Sequence, residues 1–152
     1  MTQPKILCVD DNADDLMLLR MACAAAKVSF QLLSIDCGEK AIAYLEGAHG
    51  YADRERFPLP VLILLDLKMP GCSGFDVLAW VRSRPHFDNL PVIIFTSSIH
   101  PEDRTRAQAL GASQFLVKPI GYEALQKLVQ SLDQFLATRQ TLDQSLFEFE
   151  AK

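Results

Sequence analysis

Four apolar runs of strand length each stop at a reactive side chain, and that repetition constrains the fold more than any other feature of the chain. Lys5-Ile6-Leu7-Cys8-Val9 ends at the carboxylate pair Asp10-Asp11, and Val61-Leu62-Ile63-Leu64-Leu65 ends at Asp66. Val92-Ile93-Ile94-Phe95 ends at Thr96, and Phe115-Leu116-Val117 ends at Lys118-Pro119. If the runs are strands of one parallel sheet, all of these polar side chains emerge at the same carboxyl edge, where open α/β sheets bind ligands. Acids, a hydroxyl and an amine gathered there would form a site.

The spacing between runs supports that sheet. Strand and helix patterns alternate, which predicts a parallel sheet with helices on both faces. The first helix is expected over about 13–27 with Asn12 as its N-cap. A second strand, 30–35, leads into a helix over about 38–46, and 49–60 is a polar, proline-containing insertion. After Asp66 comes a loop with Pro70, Gly71 and Gly74, then a helix over about 75–84. Pro101 opens a fourth helix that ends at Gly111. The fifth begins near Tyr122, with Leu125, Leu128, Val129, Leu132 and Leu136 as an apolar stripe at helical spacing.

At 152 residues the chain suits one domain with a real core. Its hydrophobic content of 49% and charged content of 22% indicate a soluble globular protein. A net charge of -4 without a Lys/Arg cluster argues against nucleic-acid binding. The apolar runs are too short to span a bilayer, and the first residues lack the pattern of a secretory signal. Cys8, Cys23, Cys37 and Cys72 show no CxxC pairing, as expected of a reduced cytoplasmic protein.

The order Asp10-Asp11, then 64–74 (LLDLKMPGCSG), then Phe95-Thr96-Ser97-Ser98, then Gly111-Ala112 and Lys118-Pro119 resembles the receiver domain of bacterial two-component response regulators. The resemblance covers about residues 4–137. It implies a flavodoxin-like doubly wound sheet of five strands, order 2-1-3-4-5, with five helices. It also implies phosphorylation of Asp66 by a partner histidine kinase, with the protein catalysing only its own phosphorylation and dephosphorylation. By the same pattern Asp11, Asp66 and the Lys68 backbone carbonyl hold Mg²⁺ or Mn²⁺, Asp10 acts through bound water, and the Lys118–Pro119 peptide is cis.

The chemistry of these residues agrees with that reading. A carboxylate attacking phosphorus faces an anionic donor, so the site must neutralise charge. Mg²⁺ is a hard cation that takes oxygen ligands and commonly keeps several waters. Thr96 can donate to one phosphoryl oxygen and Lys118 can pair with another. Taken singly, Asp10-Asp11 and Asp66 could be turn residues, Thr96 a strand-end hydroxyl and Lys118 a solvated charge. Their coincidence at four strand ends favours a site.

The resemblance further implies output through a switch at Thr96 and Phe115, the aromatic moving inward as the hydroxyl turns to the phosphoryl group. Phe115 has no hydroxyl, so packing would drive it; the alternative is a static core aromatic. The insertion and the short tail, 138–152, resemble single-domain regulators paired with bacterial phytochrome kinases. No output domain fits in that tail. A homodimer through the fourth helix, last strand and fifth helix is expected, with Leu142, Leu146 and Phe149 as an added stripe and an unknown downstream partner. A flavin or nucleotide enzyme would want a Gly-rich first loop, whereas this one reads Asp10-Asp11-Asn12-Ala13-Asp14-Asp15. Asp10 and Asn12 do not make the DxD of an aspartyl-phosphate phosphatase. A pseudo-receiver would lack an acid or the lysine, and a phosphorelay intermediate remains a second possibility.

Overall fold

The computed structural model describes residues 3–138. Five strands, β1 (Lys5–Val9), β2 (Gln31–Ile35), β3 (Leu62–Leu65), β4 (Val92–Thr96) and β5 (Gln114–Val117), form one parallel sheet in the order β2-β1-β3-β4-β5. Between and after them run α1 (Ala13–Ala26), α2 (Gly38–Glu46), α3 (Gly74–Arg82), α4 (Pro101–Ala109) and α5 (Tyr122–Thr138). The flavodoxin-like architecture and strand order are those expected.

Alternation along the strands divides the core into two layers. Ile6, Cys8, Leu62, Leu64, Ile93, Phe95 and Leu116 face α1 and α5. Leu7, Val9, Ile63, Leu65, Ile94 and Phe115 face α2, α3 and α4. Both sides being covered explains why β1, β3 and β4 read as unbroken apolar runs.

Helix ends follow local chemistry. Asn12 caps α1 by accepting the Asp15 N–H at 3.1 Å, as expected. Ser73 and Asp76 form a reciprocal capping box at the start of α3. The third helix stops at Arg82, two residues short of expectation, because Pro85 disfavours helical backbone at Arg84 and opens a 3-10 turn, Pro85–Phe87. The insertion is ordered rather than a loose loop. Arg54 donates to the carbonyls of Tyr44, Leu45, Tyr51 and Phe57 at 2.8–3.4 Å. Tyr44, Tyr51 and Phe57 pack ring against ring beside it, 5.1–6.2 Å apart. Among the described residues no helix is long and apolar enough to cross a membrane. Leu142, Leu146 and Phe149 lie outside the described residues.

Candidate phosphoacceptor site

The ladder extends one step past the strands at Asp10, Asp66 and Lys118. Asp10 N–H donates to Ile35 O at 3.0 Å, Asp66 N–H to Val9 O at 3.0 Å and Lys118 N–H to Thr96 O at 2.7 Å. These bonds fix the backbone from which the reactive side chains project, so the site is held by the sheet rather than by loops. Gly74 tightens it further. A Cβ there would lie 2.0 Å from the Asp66 carbonyl oxygen, so only glycine lets the start of α3 approach so closely.

Asp10, Asp11 and Asp66 each bring a carboxylate oxygen to within 4.8 Å of the others. Asp10 and Asp66 are buried, while Asp11 is exposed. Two buried acids and one open one, all hard oxygen donors, suit a divalent cation that keeps part of its water shell. Asp11 also borders a cavity of about 440 Å³, lined by Arg20, Ser34, Lys40 and Tyr51 and by neither Asp10 nor Asp66.

Lys118 answers the acids with a single ammonium. Its ammonium lies 2.5 Å from Asp10 Oδ2, 2.7 Å from Asp15 Oδ2 and 3.4 Å from Asp66 Oδ2. Burial works against the ammonium, but the bonds to Asp10 and Asp15 outweigh it and hold the lysine charged above its ordinary range. Burial pushes the Asp10 carboxyl up, opposed by Lys118 and by the Asn12 N–H that donates to Oδ1 at 2.9 Å. The sequence shows Asp15 only as part of an acidic first loop; it lies in the first turn of α1, beside the N-cap Asn12.

Thr96 is fully buried, and its hydroxyl oxygen accepts the Ser98 N–H at 3.3 Å. Phe115 shares its face of the sheet, lies opposite Ile94 in register, and is 8% exposed. The Arg104 guanidinium covers its ring at 5.1 Å. The ring is therefore buried. The Lys68 amide lies 3.5 Å from Asp66 Oδ1.

One expectation is corrected. The Lys118–Pro119 peptide is trans, not cis. The trans form is intrinsically favoured by about 0.5–1 kcal/mol before proline, and cis persists only where packing demands it. Ile120, just beyond, is 99% exposed, so no packing of that side chain imposes the rarer isomer.

Residues 6–130 match the response regulator receiver domain family. The chain belongs to that family. The receiver is 31% identical over 137 residues to the response regulator Rcp1 of Synechocystis sp., covering 90% of this chain and 91% of Rcp1. It superimposes on the phosphorylated cyanobacterial phytochrome response regulator RcpA with a TM-score of 0.82 at 30% identity, covering 93% of this chain and 99% of RcpA. Against the Mn²⁺-bound form of Rcp1 the TM-score is 0.78 at 30% identity, over 92% and 99% of the two chains. The receiver is thus similar to the phytochrome response regulator RcpA and to Rcp1, which was solved with Mn²⁺ bound.

Proposed function

We propose that this receiver accepts a phosphoryl group onto Asp66 from a phosphohistidine of a sensor kinase. A carboxylate oxygen of Asp66 attacks phosphorus, the P–O bond forms as the P–N bond breaks, and the imidazole nitrogen leaves with the electron pair. The observation that carries the reading is the convergence of Asp10, Asp11, Asp66 and Lys118 at one sheet edge. When bound, Mg²⁺ or Mn²⁺ would neutralise and orient the transferring oxygens. Asp11, Asp66 and the Lys68 carbonyl would hold it, with Asp10 reaching it through water. Lys118, already 3.4 Å from Asp66, would pair with one phosphoryl oxygen and Thr96 would donate to another. Hydrolysis by water later resets Asp66, so the receiver catalyses only reactions on itself.

Similarity to phytochrome regulators supports a bacteriophytochrome as the kinase. Met17, Leu18 and Met21 on α1 and Ile120 after β5 are large, exposed apolar side chains that a protein partner could cover. We read residues 4–137 as the receiver unit. Signalling would run through the receiver's surface, with Thr96 and Phe115 as the switch and a homodimer through α4, β5 and α5. A cytoplasmic setting fits the free thiols of all four cysteines.

Labelling by acetyl phosphate in Mg²⁺ tests the acceptor. Asp66→Asn should abolish it, and undiminished, acid-stable labelling of the variant would overturn the assignment. Sedimentation with and without beryllofluoride tests assembly. Monomers in both samples at micromolar concentration would rule out the dimer.

A further inference from the structure

Two loops flank Asp66, and one carboxylate on α4 holds both. Asp103 Oδ2 receives the Lys68 ammonium at 3.1 Å from the β3–α3 loop, and it also accepts the Ser98 hydroxyl from the β4–α4 loop. Ser98 is itself bound into that loop, because its amide donates to Thr96 Oγ1 and its hydroxyl accepts the His100 N–H, each at 3.3 Å. Lys68 is bound on the other side by sequence, two residues from Asp66 with its amide 3.5 Å from Oδ1. The Ser98 bond and the Lys68 charge together hold the Asp103 carboxyl below its usual range, against the effect of burial. The two partners differ in exposure. The Asp103 side chain is 14% exposed and that of Lys68 60%.

An ion pair open to water on its cationic side is a weak bond. A phosphoryl group on Asp66 would bring nearly two negative charges and three acceptor oxygens within reach of the flexible lysine stem. Losing Lys68 would not bare the Phe75 ring beside it, because Arg106 already stacks there at 4.0 Å while Lys68 stands at 5.9 Å.

Resting on the reading of Asp66 as phosphoacceptor, we infer that Asp103 is a positioning residue that holds Lys68 away from Asp66 until the phosphoryl group takes it. Release leaves Asp103 bound to Ser98 alone. The first turn of α4 then follows the Thr96–Ser98 segment instead of the β3–α3 loop. Charge at Asp66 thereby reaches α4 along a route separate from the Thr96–Phe115 pair.

Asp103→Asn is the informative substitution, since the amide oxygen still accepts from Ser98 while the charge that holds Lys68 is gone. Beryllofluoride binding in Mg²⁺ should tighten about two- to fivefold, the worth of an exposed ion pair. In the Lys68→Met background the same substitution should change nothing. Amide exchange supplies a second readout. Beryllofluoride should speed exchange in the first turn of α4 in the wild type and not in Lys68→Met. An equal effect of Asp103→Asn in both backgrounds would mean a general field or structural role and overturn the inference. So would no effect in either. A wild type that fails to bind beryllofluoride would overturn the phosphoacceptor reading and this inference with it.

Discussion

Arg54 and Lys118 are both partly withdrawn from solvent in this receiver, and they are used in opposite ways. Arg54 sits in the insertion and spends its planar fork on the carbonyls of Tyr44, Leu45, Tyr51 and Phe57. Those partners are neutral, fixed by the backbone and bound through both terminal nitrogens, so Nη1 and Nη2 are engaged in the structure itself. Lys118 sits at the sheet edge among Asp10, Asp15 and Asp66, a point charge facing more negative charge than it can neutralise. Its partners are side chains that can turn elsewhere. Arg54 completes a structure, whereas Lys118 leaves a deficit of positive charge that a metal ion and a phosphoryl group can resolve together.

Exchanging each cation for methionine should separate the two roles most strongly. Lys118→Met should nearly abolish phosphorylation by acetyl phosphate while leaving a folded protein. In the absence of metal it should also lose about 3 kcal/mol at neutral pH, because Asp10 remains buried without its cation. That loss should shrink as the solution is acidified. The Asp10 pKa is already raised by burial, so the folded state binds its proton more readily than the unfolded chain, and stability falls as pH rises through that value. Arg54→Met should cost about 2 kcal/mol from carbonyls left without a charged donor. Its labelling per folded molecule should equal the wild type. Denaturant titration alongside labelling reads both quantities, and loss of labelling in folded Arg54→Met would erase the distinction.

A smaller effect sharpens it. Asp11→Ala removes one of three crowded carboxylates, so Mg²⁺ affinity should fall strongly while metal-free stability holds or rises by about 0.5 kcal/mol. Thermal unfolding with and without Mg²⁺ measures both. A sharp drop in the metal-free midpoint would show that the acids do not repel one another, and the electrostatic deficit ascribed to this edge would be wrong.

What the sequence by itself determined is whatever depends on local period and punctuation. Unbroken apolar runs predicted strands buried on both faces, Asn12 and Pro101 marked helix starts, and the ends of β1, β3, β4 and β5 placed Asp10, Asp66, Thr96 and Lys118 at one edge. The ladder then obliges those positions to converge, because strand ends in a parallel sheet share a rim. Tertiary structure alone decided the partners. Lys118 meets Asp15 across 103 positions, and Lys68 reaches Asp103 from another loop. Arg54 closes the insertion and Phe115 is buried. Each of these outcomes turns on side-chain reach and on packing between segments, and neither leaves a periodic trace in the sequence.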